Sequence, residues 1–186
     1  MPYVNTLDEL AEVLQAGQPA LFPTDTVVGL GVSVGHCASP DVLFHLKGRP
    51  AGKPVAWLVA DSDALDEYGT DVSPAARETV AAHWPGAFTA IVKASEAVPQ
   101  AYRSHEGTIG LRVPASETVR ELIRHVGFPL ATTSANMSGE LAPCRVDDVS
   151  PELLEVVFTL DLDECGSGAA STVVDFSRGA SVILRA

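Results

Sequence analysis

Hydrophobic and polar positions recur along this chain at both helical and strand spacing. A capping box formed by Thr6 and Glu9 predicts a first helix, because apolar residues follow it at helical spacing. Apolar and β-branched runs at 20–22 and 27–34 then predict two strands. The sequence Pro23-Thr24-Asp25-Thr26 interrupts them. We therefore expect a polar loop between a first pair of strands.

The rest of the chain continues to alternate between helix and strand patterns. Helices are predicted with Ser39 as N-cap and Pro40 as first residue, over 73–84 and 116–126, and after Ser150-Pro151. Strands are predicted over 54–60, 87–93, 108–113, 129–133, 156–160, 172–176 and 181–184. The run 54–60 is apolar throughout, which is typical of a strand buried between two layers of helices. The sequence therefore predicts a single α/β domain, residues 1–186, with a twisted, mixed parallel and antiparallel sheet flanked by helices.

The composition fits such a domain and limits its partners. The chain has 186 residues, of which 46% are hydrophobic and 19% are charged. A chain of this length buries enough surface to fold without disulfides or a structural metal. Its net charge is −12, from 12 basic and 24 acidic residues. That balance argues against a protein that coats nucleic acid or an anionic membrane, because such binding needs many contacts from basic side chains.

The cysteines and the hydropathy profile predict where the protein works. Cys37, Cys144 and Cys165 form no CxxC pair and have no histidine cluster nearby in sequence, so we expect free, reduced thiols. The sequence has no signal-peptide pattern and no apolar run of about 18 residues. We expect a soluble, cytoplasmic protein that binds no membrane.

Several common catalytic motifs are missing. Gly29 and Gly31 lack the third glycine of a dinucleotide-binding fingerprint, and the sequence has no GxxxxGK[ST] loop. It also has no GxSxG elbow and no HExxH pair. These absences argue against the common nucleotide hydrolases, triad hydrolases and metallohydrolases, and we assign no metal ligands.

Three cations lie within seven residues of this acidic chain. Lys47, Arg49 and Lys53 follow the predicted helix that begins at Ser39-Pro40. Arginine binds phosphate as a bidentate fork and lysine as a point charge, so a triphosphate is a suitable ligand for these three cations. The alternative is a solvated basic loop that complements the dipole of the preceding helix.

Polar side chains also mark the ends and faces of apolar strands. Residues 132–139, with the sequence Thr-Thr-Ser-Ala-Asn-Met-Ser-Gly, follow a predicted strand where α/β sheets bind ligands, although a capped turn would have the same composition. Thr108 and Arg112 share one face of another predicted strand, because they lie four residues apart. Arg112 needs an anionic partner there, either a structural carboxylate or a ligand.

Together these motifs occur in the order typical of one family. They are Pro23-Thr24-Asp25-Thr26, Gly29-Leu30-Gly31, Lys47-Gly48-Arg49-Pro50, Trp84-Pro85-Gly86, Ile109-Gly110-Leu111-Arg112-Val113-Pro114, Ser134-Ala135-Asn136-Met137-Ser138-Gly139 and Ser171-Thr172-Val173-Val174-Asp175. From about residue 20 to 185 the sequence resembles the YrdC/Sua5 family of L-threonylcarbamoyladenylate synthases. The long Sua5 form carries a further C-terminal domain, which we expect this chain to be too short to contain.

The resemblance implies a YrdC-like fold with a concave, basic ligand cavity, and an enzyme of tRNA modification. Such an enzyme makes L-threonylcarbamoyladenylate and pyrophosphate from L-threonine, bicarbonate and ATP, with Mg²⁺. A separate tRNA threonylcarbamoyl-transferase complex then modifies adenosine 37 of ANN-decoding tRNAs.

The resemblance also implies roles for individual residues. The catalytic set would be Lys47, Arg49, Ser134 and Asn136. The contacts to ATP would be Arg49, Lys53, Thr108, Ser134 and Arg185, and those to threonine would be Thr26, Arg112, Thr132 and Ser171.

The chain departs from the family pattern at a few positions. Val28 stands where an aromatic residue is common, Leu58 or Trp57 where many relatives have histidine, and Leu141-Ala142 lacks a common serine. These changes bear on the threonine pocket more than on the nucleotide site. Two other functions stay open: a protein that binds double-stranded RNA or assists ribosome assembly, and a carbamoyl-transfer domain like those of hydrogenase-maturation proteins. The net charge of −12 disfavours RNA binding.

Overall fold

The computed structural model describes residues 2–48, 54–162, 164–179 and 181–186. The helices are α1 (Leu7–Gln15), α2 (Asp41–Leu46), α3 (Ala64–Tyr68), α4 (Pro74–His83), α5 (Glu117–Val126) and α6 (Pro151–Val156). The strands are β1 (Tyr3–Val4), β2 (Ala20–Phe22), β3 (Gly29–Ser33), β4 (Ala56–Leu58), β5 (Gly69–Thr70), β6 (Phe88–Ala94), β7 (Thr108–Arg112), β8 (Leu130–Ser134), β9 (Phe158–Leu160), β10 (Thr172–Asp175) and β11 (Val182–Arg185).

These strands form a single mixed sheet in the order β1-β9-β2-β3-β8-β4-β7-β6-β10-β11, with β5 paired to β6. The pairs β1/β9, β2/β9, β4/β7 and β6/β10 are parallel, whereas β2/β3, β3/β8, β4/β8, β6/β7, β5/β6 and β10/β11 are antiparallel. The prediction of an α/β domain with a mixed sheet flanked by helices is therefore confirmed.

The helices bury the two faces of the sheet in separate clusters. On one face, Leu10 and Leu14 of α1 pack with Leu122 and Val126 of α5 and with Leu130 of β8. On the other face, a larger cluster surrounds the fully buried Trp57 and includes residues of α2, α3, α4 and α6. Trp57 and Leu58 are neighbours in β4 and point to opposite faces, as strand geometry requires.

Leu122 gives a direct test of the smaller cluster. It is 1% exposed, so we expect Leu122→Ala to lower the free energy of unfolding by about 2–5 kcal/mol through lost burial and a residual cavity. Glu121→Ala is the matched control, since Glu121 is exposed on the same helix. Urea denaturation gives the free energy of unfolding of both variants. Equal values would show that Leu122 of α5 does not stabilise this core.

Two local predictions differ from the structure. The helix expected to have Ser39 as its N-cap begins at Asp41, with Pro40 at the cap, and the Ser39 hydroxyl donates to the Asp41 carboxylate at 2.8 Å. The strand expected over 54–60 is limited to β4, and the backbone N–H of Val59 makes the last hydrogen bond of its parallel ladder with β7, to the carbonyl of Arg112. In the part of the chain that the structure describes, no helix is long and apolar enough to cross a membrane.

Candidate functional site

A cavity of about 480 Å³ opens on the sheet face that carries α1 and α5. Strand side chains alternate between faces, and the residues of β4, β7 and β8 on this face that line the cavity are Ala56, Leu58, Thr108, Gly110, Arg112, Thr132 and Ser134. The structure brings eight predicted binding residues to its wall: Thr26, Thr108, Arg112, Thr132, Ser134, Asn136, Ser171 and Arg185. Arg49 and Lys53, which were predicted as ATP contacts, lie outside the described residues.

The strand register explains why the cavity forms where it does. Leu130 in β8 lies opposite Leu58 in β4, and both belong to the core under α1 and α5. Two residues further along the sheet, Thr132 lies opposite Ala56, and Ala56 lies opposite Gly110. Small and polar side chains thus replace the large apolar ones, and the space they leave lies over the middle of the sheet.

Lys47 lies at the C-terminal end of α2 and is almost fully buried, with 4% of its surface exposed. Its ammonium donates to the carbonyl and the hydroxyl of Ser134, the latter at 3.4 Å, and to Oδ1 of Asn136 at 3.4 Å. The Ser134 hydroxyl also donates to Asn136 Oδ1. Lys47 therefore contacts both Ser134 and Asn136 of the 134–139 motif, and a solvated loop is the wrong description of this lysine.

Asn136 holds the loop that follows β8. Its Nδ2 donates to the carbonyls of Met137 and Glu140, at 2.9 and 2.8 Å. The backbone N–H of Ser138 donates to the carbonyl of Lys47 at 3.1 Å. This segment therefore has the side-chain hydrogen bonds of a capped turn, and its residues Ser134 and Asn136 also line the cavity.

Arg112 occupies the other end of the cavity. Its Nη2 donates to Oδ1 of Asp25 at 2.7 Å, its Nη1 to the hydroxyl of Thr26 at 3.0 Å, and its Nε to the carbonyl of Gly86 at 3.0 Å. The Arg112 side chain is 7% exposed and that of Asp25 is 16% exposed. The anionic partner that Arg112 requires is thus a structural carboxylate, and three of its five N–H groups are engaged in this way.

The loop that carries Asp25 and Thr26 is fixed by its own threonines. The hydroxyl of Thr24 accepts from the backbone N–H of Thr26 at 3.1 Å and donates to the carbonyl of Val27 at 2.7 Å. Thr24 and Thr26 are 6% and 2% exposed. This local hydrogen bonding orders the loop around Arg112.

A second arginine faces the cavity from the edge of the sheet. Arg185 on β11 donates from Nε to the carbonyl of Ser171 at 2.8 Å and from Nη2 to its hydroxyl at 3.1 Å. The hydroxyls of Ser171 and Thr89 lie 2.8 Å apart. Partial burial, together with the cation of Arg112, lowers the pKa of Arg185. Two guanidinium groups that repel each other across one cavity favour an anion between them.

Thr108 and Leu58 complete the wall. The hydroxyl of Thr108 lies 2.7 Å from that of Ser104. Leu58 lines the cavity, whereas Trp57 lies in the core on the opposite face. Val28 is fully buried.

Two chain segments form the rim beside the 24–28 loop. The N–H of Val28 donates to the carbonyl of Pro143 at 2.8 Å, and the N–H groups of Ser167 and Gly168 donate to the carbonyls of Asp25 and Thr26 at 3.1 and 2.8 Å. We call residues 141–145 and 164–170 the rim segments. They hold the 24–28 loop from both sides.

Gly166 marks how closely the second rim segment approaches that loop. A Cβ atom at this position would overlap the carbonyl of Thr26 and lie 2.7 Å from the carbonyl oxygen of Thr24. We expect Gly166→Ala to destabilise the protein by about 1–3 kcal/mol, as overpacking does, and to speed amide hydrogen exchange in residues 24–28. Ser167→Ala, which keeps the backbone bond to Asp25, is the control; a Gly166→Ala variant with unchanged exchange would contradict this packing.

Sequence reasoning gave no role to several residues that the structure places at the site. Asp25 belongs to the Pro23-Thr24-Asp25-Thr26 motif, and the need of Arg112 for a carboxylate was the signal that could have identified it. Thr89 and Glu140 also line the cavity. Nothing in their local sequence distinguishes them from surface or core positions.

Comparison with known proteins identifies the family of this arrangement. The family model for Sua5, YciO and YrdC, described as "Telomere recombination", matches residues 12–186. The threonylcarbamoyl-AMP synthase of Stenotrophomonas maltophilia is 36% identical over 172 residues, which are 91% of this chain and 92% of that protein. The threonylcarbamoyl-AMP synthase of Pyrococcus abyssi is 31% identical over 94% of this chain. The chain spans 52% of that longer protein.

Solved structures show the same fold. The P. abyssi Sua5 structure complexed with L-threonine has a TM-score of 0.90 and 29% identity, covering 98% of this chain and 56% of that one. E. coli YciO has a TM-score of 0.87 and 21% identity, covering 98% of this chain and 92% of that one. At that lower identity, YciO shows a shared fold alone.

Proposed function

Because the chain belongs to the Sua5/YciO/YrdC family, we propose that it is a threonylcarbamoyl-AMP synthase, which forms L-threonylcarbamoyladenylate and pyrophosphate from L-threonine, bicarbonate and ATP. Relatives that bear this name match over most of the chain, and a homologous structure contains L-threonine. One observation carries the proposal at the level of the site. Ser134, which is bound by the buried Lys47, and the buried Arg112 both line one cavity. These positions suit two substrates of different charge, ATP and threonine.

We assign the Arg112 end of the cavity to threonine. Asp25, Thr26 and Gly86 hold the guanidinium and leave two of its N–H groups for a carboxylate. A fork held in this way binds a carboxylate with a fixed orientation. The hydroxyls of Thr26 and Ser171 provide polar contacts for the amino acid, and Thr132 lies on the same wall.

We assign the Lys47 end to the reacting phosphate. Lys47 holds Ser134 and Asn136 in place, and these two residues supply polar groups to the part of the cavity where the nucleotidyl group would be transferred. Arg185 and Thr108 line the same cavity and are assigned to ATP. Arg49 and Lys53 keep their predicted ATP contacts as part of this proposal.

The proposed chemistry needs positioning and charge neutralisation rather than a protein nucleophile. The threonine amine first captures CO₂, formed from bicarbonate with loss of water, to give a carbamate anion. A carbamate oxygen then attacks the α-phosphorus of ATP, a new P–O bond forms, and the bond to pyrophosphate breaks. Fixed cations stabilise the charge that develops along this in-line path. Holding both substrates in one cavity supplies the orientation.

We also propose that Mg²⁺ enters with the triphosphate and neutralises part of its charge. Magnesium keeps several of its waters and binds mainly through substrate phosphates with one or two carboxylates. Glu140 lines the cavity and offers one carboxylate to such an ion. In the described ranges, no group of three or more His, Cys, Asp and Glu residues forms a metal cluster.

The product would be consumed by a second enzyme. A mixed anhydride of a carbamate and AMP is an activated acyl donor, so we propose that a separate tRNA threonylcarbamoyl-transferase complex uses it. This assignment gives the protein a place in tRNA modification without direct RNA binding.

Pyrophosphate release tests the proposal. We expect the purified chain with ATP and Mg²⁺ to release pyrophosphate only when L-threonine and bicarbonate are both present. L-Serine and L-valine, which each lack one part of the threonine side chain, serve as matched amino acids and should support slower release. ATP binding with no release would contradict the synthase, and salt-sensitive binding of double-stranded RNA without ATP would favour the RNA-binding function instead.

A further inference from the structure

Two cysteines from distant parts of the sequence lie side by side on the rim of the cavity. The Sγ atom of Cys165 is 3.1 Å from the Sγ atom of Cys144, although 21 positions separate them in the chain. Both are free thiols, Cys165 exposed and Cys144 half-buried. The backbone N–H of Gly166 also donates to the carbonyl of Cys144 at 3.3 Å. The backbones therefore already run next to each other at this point.

Each cysteine belongs to one of the two rim segments. Cys144 follows Pro143, whose carbonyl accepts from Val28, and Cys165 precedes Ser167 and Gly168, whose N–H groups bond to Asp25 and Thr26. A bond between the two sulfurs would thus join the rim segments across the loop that holds Arg112. Ala142 and Ala170, one from each segment, line the cavity.

We propose that Cys144 and Cys165 are a redox modification site, which forms a reversible disulfide with a low-molecular-weight disulfide such as oxidised glutathione as the co-reactant. A disulfide requires the sulfurs to approach from 3.1 Å to about 2.05 Å, a shift of about 1 Å that irregular segments can supply. The bond restrains the separation of the two rim segments.

The reaction is an ordinary thiol–disulfide exchange. The exposed Cys165 thiolate attacks one sulfur of the small disulfide, the S–S bond breaks, and one small thiolate leaves. Cys144 then loses its proton, attacks Cys165 in the mixed disulfide and releases the second small thiolate. The two protein thiols are oxidised by two electrons in total, and one small disulfide is reduced to two thiols. Cys165 is the thiol that reacts first, because it is exposed whereas Cys144 is half-buried, and the hydrogen bond that Cys144 shares with Cys165 raises the pKa of Cys144.

The order of attack gives the cysteine variants distinct outcomes. In Cys144→Ser, the mixed disulfide on Cys165 has no resolving thiol and should accumulate. Cys37→Ser is the matched control, because Cys37 donates to the carbonyl of Ser39 at 3.1 Å and lies on a different part of the chain. That variant should form the internal disulfide as the unchanged protein does.

Peptide mass analysis reads these outcomes without any assay of activity. Tryptic cleavage places Cys37, Cys144 and Cys165 in three separate peptides, 1–47, 125–145 and 146–178. After equilibration of the full chain with oxidised glutathione and an alkylating quench, we expect peptides 125–145 and 146–178 to be joined. Reduction should separate them.

Amide hydrogen exchange tests whether the disulfide restrains the rim segments. In the oxidised protein, we expect amide hydrogen exchange to be slowed several-fold in the rim segments and unchanged in α5. The proposal is overturned if glutathione stays on Cys165 of the unchanged protein with no joined peptides, if the joined peptides include Cys37, or if oxidation leaves exchange in the rim segments unaltered. These readouts do not depend on synthase activity, so they separate the redox site from the proposed function.

Discussion

Arg112→Lys is expected to lower kcat/KM for L-threonine by about 100-fold, which corresponds to about 2.7 kcal/mol of lost transition-state stabilisation. Lysine keeps the positive charge but cannot bond Asp25, Thr26 and Gly86 while also presenting a planar fork to a carboxylate. Pyrophosphate release measured over a range of L-threonine concentrations at saturating ATP gives this ratio.

Arg112→Lys tests the binding of threonine more specifically than Arg112→Ala does. Arg112→Ala would leave the Asp25 carboxylate, 16% exposed, without its cation, and breaking such a buried pair destabilises a protein by about 3–5 kcal/mol. Arg120→Lys is the matched control, because Arg120 lies on α5, bonds Glu117 and the carbonyl of Pro114, and does not line the cavity. If both variants kept the threonine dependence of the unchanged protein, the assignment of Arg112 to the amino acid would be wrong.

Lys47→Met is expected to lower kcat by about 10²–10³-fold, the range found when one preorganised donor is lost from a site that stabilises developing charge. Methionine keeps the long stem in its buried position but removes the ammonium that holds Ser134 and Asn136. Single-turnover formation of the adenylate, with ATP and threonine both saturating, measures the chemical step.

The burial of Lys47 decides the design of this experiment. The sequence left open a solvated basic loop for Lys47, whereas the structure buries this lysine to 4% exposure, so truncation to alanine would also leave a void. Lys93→Met is the control, since Lys93 is about half exposed and pairs with Asp71 outside the cavity. If Lys47→Met formed the adenylate as fast as Lys93→Met, Lys47 would have no role in the mechanism.

The sequence predicted those helices and strands whose ends are marked by capping or turn residues. Helix α5 begins where the hydroxyl of Ser116 accepts from the N–H of Val119 and ends at Gly127, which has a φ of 81°. Both residues act on neighbours in the chain, so their roles are visible in sequence. Helix α3 and the two-residue strands β1 and β5 were not predicted, because they are too short for periodicity and depend on long-range pairing.

The candidate site could be predicted as a set of residues but not as a geometry. Motif order grouped Thr26, Arg112 and Ser134, and all three line the cavity. The partner of Arg112 could not be chosen in advance, because Asp25 lies 87 positions away in the chain. The approach of Cys144 and Cys165 likewise follows from how two irregular segments cross the 24–28 loop, which no local pattern encodes.

We propose that this chain builds a carbamate on threonine and joins it to AMP. Incubation with ATP, Mg²⁺, L-threonine and ¹³C-labelled bicarbonate, followed by rapid mass analysis of the nucleotide products, tests that claim most directly. We expect an adenylate whose mass contains threonine and one labelled carbon, formed in equal amount to pyrophosphate. An adenylate of threonine without the labelled carbon, or AMP and pyrophosphate with no joined product, would contradict it.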